Sequence, residues 1–132
     1  MLVVIHIEIG AINKLSYTHE IFSWVRNLYP QAVTYDFDNH SDAAIINYGM
    51  DLLKQGKRIL VMINQISDEH TRPLLKFTDC LIRNRAKPLL VVYNGTDPYL
   101  KQMLETLPKE KLMGNMDVAG QKAIIENFFS IK

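Results

Sequence analysis

Glu8 is the sharpest chemical signal in this chain. It sits near the end of the apolar run Leu2–Ile9. A carboxylate at the end of a buried strand must be hydrogen-bonded, paired or functional. In a functional role it would act as a general base or hold a cation. In a structural role it emerges into solvent where the strand stops, and that is the preferred reading. Asp36 and Asp38 lie two apart, so a strand would point both to one face. With Glu8 they would form an acidic pocket for a divalent ion. An ordinary turn through Asp38 and Asn39 is the simpler expectation. His6 shares a face with Glu8 and reads as a core histidine hydrogen-bonded to a neighbour. His19, His40 and His70 are scattered, with no pair at ligand spacing, so no metal site is expected.

Other groups carry weaker signals. Ser67-Asp68-Glu69-His70 has the letters of a catalytic triad, but consecutive residues cannot assemble nucleophile, base and orienter. A solvated loop is expected there. Asn94-Gly95-Thr96-Asp97-Pro98 reads as a turn and helix cap, whose amides could also meet an anion. Cys80 is the only cysteine and lies in the apolar stretch Phe77–Ile82. No activating arrangement is visible, so it reads as a buried, inert thiol.

These residues need elements to position them. Five short apolar runs alternate with amphipathic stretches: Leu2–Ile9, Ala32–Phe37, Arg58–Ile63, Leu89–Tyr93 and, more weakly, Lys111–Met116. Strand-length runs separated by helix-length segments imply βα units and a mainly parallel sheet covered on both faces. Helices are expected over Tyr17–Leu28 with Ser16 as N-cap, and over Asp42–Gln55 with Ser41 as N-cap. Three more follow: one from Pro73 to about Asn84, one from Pro98 after the cap Asp97 and ended by Pro108, and one from Asp117 to about Phe129. Gly56 reads as a left-handed residue closing the second helix. Gly49, inside that helix, suggests close approach to the sheet. Asn64–Arg72 reads as the largest irregular insertion, more mobile than the sheet and placed to grip a ligand or partner through Asp68, Glu69 or Arg72.

Right-handed crossovers restrict the topology. The fold expected is a single α/β domain over 1–132, a three-layer αβα sandwich with flavodoxin-like, Rossmann-like strand order 2-1-3-4-5. Ligands of such sheets bind beyond the carboxyl ends of the strands, at the switch point between strands one and three. The candidate lining is Glu8, Gly10 and Asn13 from the first loop and Asn64, Gln65 and Ser67 from the third. Asp36, Asp38 and His40 come from the second strand, and Asn94, Thr96 and Asp97 from the fourth.

Several chemistries are missing. The chain has no GxxxxGK[ST] loop, no GxGxxG after strand one and no GxSxG elbow. The first loop lacks the Ser/Thr richness of a flavin phosphate site. Strand three ends in Asn64 and not in the aspartate of a phosphorylated receiver domain. No cofactor is expected. The net charge of +1 shows no basic stripe, so no nucleic acid is expected as a partner. The first apolar run is too short to span a bilayer, which needs about 20 residues, and lacks a leader's basic flank. A cytoplasmic location without membrane association is expected. The sequence leaves enzymatic activity open. The leading expectation is a non-catalytic interaction or regulatory module. A homodimer or protein partner would use apolar surface on the last helix at Phe128, Phe129 and Ile131. The alternative is a small enzyme or binder of a nucleotide-like small molecule at the ends of strands one and three.

Overall fold

The computed structural model describes residues 1–15 and 20–130. Five strands form one sheet: β1 (Leu2–Ile9), β2 (Val33–Asp38), β3 (Arg58–Gln65), β4 (Leu89–Asn94) and β5 (Leu112–Gly114). All pair in parallel, in the order β2-β1-β3-β4-β5. The helices are α1 (Glu20–Leu28), α2 (Ala43–Gln55), α3 (Leu75–Arg83), α4 (Pro98–Leu104) and α5 (Val118–Ser130). The fold is therefore the flavodoxin-like three-layer sandwich.

Period-two alternation divides β1 between two cores. Val3, Ile5, Ile7 and Ile9 cluster with Leu52 and Leu53 of α2, Phe77 and Leu81 of α3, and Leu100 and Leu104 of α4. Val4 joins Leu60, Met62, Leu90 and Val92 beneath Ile21, Phe22 and Val25 of α1 and Ile125 of α5. Each such side chain, fully buried, contributes about 2 kcal/mol of transfer free energy. The central strands are thus apolar on both faces, which is why their sequence runs are nearly continuous.

Several boundaries differ from the sequence reading, each for a local reason. β3 runs two residues further than Ile63, because Glu8 and Ile9 of β1 offer ladder partners to Asn64 and Gln65. The irregular segment is therefore only residues 66–71, followed by a 3-10 turn at Arg72–Leu74 that contains Pro73. Ser67, a residue type able to cap a helical turn over 67–71, starts none. The cap of α2 is Asp42, whose carboxylate accepts from Ile45 N at 3.0 Å. Ser41 Oγ instead accepts from Asp38 N. Gly56 has φ −64°, not a left-handed conformation. A Cβ there would lie 3.0 Å from side-chain atoms of both Ile59 and Val3, so packing against the sheet accounts for it. A Cβ on Gly49 would come within 3.1 Å of the Phe37 ring and 3.4 Å of Phe77, which accounts for glycine inside α2. α4 stops at Leu104, well before Pro108, and β5 covers only Leu112–Gly114. Asn115, at φ 53°, turns the chain out of β5. Leu28 and Ile45, which helical spacing from Val25 and from Leu52 and Leu53 would put on the inward faces of α1 and α2, are exposed. The expected cap Ser16, the start of α1 at Tyr17, His19 and Ile131 lie outside the described residues.

Candidate functional site

Strand register sets a polar row across the carboxyl edge. Asp38, Glu8, Asn64 and Asn94 lie side by side on four neighbouring strands, paired Glu8 with Asp38, Glu8 with Asn64 and Asn64 with Asn94. In-register neighbours in parallel strands share a face, so all four project on the α1/α5 side. Asn94 Nδ2 donates to Asn64 Oδ1 at 3.0 Å. Asn94 Oδ1 accepts from Met116 N at 3.4 Å, which ties the row to the approach of α5. Asn64 Nδ2 is buried and has no acceptor among the described residues. One step earlier in the register, His6 pairs with Asp36. The carboxylate accepts from His6 Nδ1 at 3.0 Å, so Nδ1 carries the proton. The His6 ring is buried and lies 5.3 Å from the Phe22 ring.

Glu8, Asp36 and Asp38 line one cleft with Leu15, Phe37, Ser41 and Ile45, about 200 Å³ in volume. The three acidic residues singled out in the sequence therefore line a common cleft, and Glu8 is buried there and does not emerge into solvent as expected. Among the described residues, however, no three His, Cys, Asp or Glu side chains come close enough together to hold a metal ion. Asp38 also turns back on the chain, accepting from His40 N at 2.7 Å.

The crevice between β1 and β3 is occupied by the protein itself. Ser67 Oγ accepts from Ala11 N at 2.9 Å, and Ile66 N donates to Ile9 O at 2.8 Å. Ile66 packs so closely on Gly10 that a Cβ there would be 2.5 Å from it. Only glycine fits, since any side chain would need the space the isoleucine fills. Asn39 closes the crevice from the β2 side. It is fully buried, its Oδ1 accepts from Gly10 N at 3.1 Å, and its Nδ2 donates to His70 O at 3.0 Å. His40 Nε2 adds a bond to Gly10 O at 2.7 Å; the carbonyl only accepts, so that nitrogen is protonated.

A second clamp joins β3 to the start of α4. Gln65 Oε1 accepts from Thr96 N at 2.8 Å, from Asp97 N at 3.0 Å and from the Tyr93 hydroxyl at 3.2 Å. Its Nε2 donates to Asp68 at 3.1 Å. Asp97 caps α4 by accepting from Leu100 N at 2.9 Å. Its other oxygen accepts from Thr71 Oγ1 at 3.4 Å. Burial pushes the Tyr93 hydroxyl above the ordinary tyrosine range; the bond from Asp97 N–H opposes this and the Asp97 charge adds to it. The phenol is thus held neutral as a donor. Cys80 is buried, and that burial pushes its thiol up, away from the reactive thiolate.

The candidate residues therefore fall into separate groups. Glu8, Asp36 and Asp38 share a cleft, and Asn64 and Asn94 continue their row. Gly10 and Ser67 seal the crevice, and Gln65 and Thr96 form the clamp over β4. Asn13 stands exposed on the 3-10 turn Ile12–Lys14 and does not line the cleft. Sequence reasoning missed Asn39, Tyr93 and Thr71 as members of these networks. For Asn39 the available signal was polarity just past a strand end, which a turn residue gives equally well.

Fold and site together define a small flavodoxin-like domain whose carboxyl-edge loops are tied to one another by their own side chains. No known family model matches the sequence, and neither a curated protein nor a solved structure matches it. No helix among the described residues is long and apolar enough to cross a membrane.

Proposed function

We propose that this domain is a non-catalytic interaction or regulatory module. The observation that carries the reading is the filled switch point. Ile66 and Ser67 occupy the place where such sheets take their ligands, against Gly10 and Ala11. The polar groups that would orient a ligand are bonded to neighbouring loops through Asn39 and Gln65. The cleft beside them, about 200 Å³, is smaller than the roughly 300–1,000 Å³ of ligand pockets. A nucleotide-like ligand is the weaker reading, since Glu8, Asp36 and Asp38 line the cleft and would repel phosphate.

A thermal-unfolding screen with nucleotides, sugar phosphates and divalent ions tests this. The midpoint is expected to stay in place with every compound. A ligand at 100 times its dissociation constant adds about 2.7 kcal/mol, an easily measured rise. Such a rise with any nucleotide or sugar phosphate, altered in size by Glu8→Gln, would replace the module reading with the ligand-binding one.

A further inference from the structure

We propose that the β2 edge, with the outer side of α2, is a docking surface for an extended basic segment of another protein. The proposal rests on the module reading above and names the partner's chemistry. β2 is the terminal strand of the sheet and, among the described residues, pairs only with β1. The main-chain N–H and C=O of Asp38 are already bonded to Ser41, so strand addition would use the outward groups of Thr34 and Asp36. The opposite edge, β5, has only three residues and carries no aspartate or glutamate.

The charge of this side selects the partner. Residues 27–53 contain Asp36, Asp38, Asp42 and Asp51 and no lysine or arginine, a local charge of −4 in a chain of net +1. Among the described residues none of these four carboxylates pairs with a lysine or arginine; Asp36 bonds His6 instead. The two faces of the edge differ. Asp36 and Asp38 project on the α1/α5 side. Tyr35 projects on the other, its ring 4.9 Å from Tyr48 and its hydroxyl donating to Ile45 O at 2.8 Å. Tyr48 and Ile45 are exposed, at 52% and 39%. An added strand alternates its side chains between these faces. The complementary segment therefore alternates too, with lysine or arginine toward Asp36 and Asp38 and apolar residues over Tyr35, Tyr48 and Ile45. A second copy of β2 would instead place aspartates beside aspartates, and like charges on adjacent strands repel.

The test is fluorescence anisotropy with three labelled hexapeptides: alternating Lys-Val-Lys-Val-Lys-Val, alternating Glu-Val-Glu-Val-Glu-Val, and the block peptide Lys-Lys-Lys-Val-Val-Val. The alternating lysine peptide is expected to bind and to weaken with added salt. The glutamate peptide is expected not to bind, and the block peptide to bind at least about fivefold more weakly, a loss of one good cross-strand pair. Asp36→Asn, which keeps an acceptor for His6, and the exposed-site variant Tyr48→Ser should each lower affinity by a similar factor. Asp79→Asn, on the distant helix α3, should leave it unchanged. Equal binding of block and alternating peptides, indifference to Asp36→Asn and Tyr48→Ser, or no binding at all would overturn the proposal. So would concentration-dependent dimerisation in sedimentation that Tyr48→Ser abolishes, which would assign the edge to a second copy. A peptide titration that fails beside a silent ligand screen removes this docking surface and leaves the module reading in place; a ligand-shifted midpoint removes that reading itself.

Discussion

Asn39 accepts the amide of Gly10 at 3.1 Å from 29 residues further along the chain, and does so with no solvent exposure. Its other amide arm holds His70 O at 3.0 Å. One side chain thus joins the loops after β1, β2 and β3, and each of its polar arms is satisfied only while all three stay together.

Truncating Asn39 leaves the Gly10 N–H and the His70 carbonyl without their partner. A buried group left unsatisfied costs about 1–3 kcal/mol. Asn39→Ala is therefore expected to lower unfolding stability by about 3 kcal/mol, seen as a reduced urea midpoint at unchanged slope. Amide exchange at residues 67–71 should accelerate while β3 stays protected. Native-like stability in the variant would show that the three loops are held by something other than this side chain.

Gly10 and Ile66 should be energetically coupled. A methyl group at position 10 meets Ile66 at 2.5 Å, and overpacking of this kind costs about 1–3 kcal/mol. Ile66 is 46% exposed, so Ile66→Ala alone should cost less than truncation of a fully buried isoleucine. Gly10→Ala is expected to destabilise, and the double variant Gly10→Ala/Ile66→Ala to recover most of the loss. A double-mutant cycle in urea measures the coupling; additive effects would mean that Ile66 does not fill this crevice in solution.

Alkaline pH should weaken the fold through Tyr93. Its folded pKa is raised by burial, so the native state holds the phenolic proton more tightly than the unfolded chain does. That stabilisation is fully present below the ordinary tyrosine value near 10 and is lost as pH rises through the folded value. Burial raises Tyr29 and Tyr35 in the same direction, so part of the loss is theirs. Tyr93→Phe should lower stability at neutral pH, where the hydroxyl bonds to Gln65 and Asp97 disappear, yet flatten the decline above pH ~10. Urea unfolding at a series of pH values reads both effects, and parallel declines in the two proteins would exclude Tyr93 as a contributor.

The α/β architecture was legible because its determinants are local. β1 matches the run Leu2–Ile9, and Asp97 with Pro98 opens α4 as their types require. Strand ends were less legible. Asn64 and Gln65 look like loop residues, yet the neighbouring strands draw them into the ladder, where main-chain bonding ignores side-chain polarity. The swap of cap from Ser41 to Asp42 follows from competition: Ser41 is taken by Asp38 N, and the next carboxylate reaches the helix amides.

The sequence by itself determined the alternation of elements and the parallel sheet, because periodicity acts over short stretches of chain; crossover handedness only narrowed the strand order to a default that the structure has. It also placed Glu8, Asp36 and Asp38 at strand ends facing one way. Only the tertiary structure decided what those ends enclose. Gly10 meets Asn39 across 29 residues, and Ala11 meets Ser67 across 56. Whether a polar residue past a strand end faces a ligand or another loop depends on how closely two such distant loops approach. Close packing sets that distance, here the fit of Ile66 on a glycine without a side chain, and no local pattern in the chain encodes it.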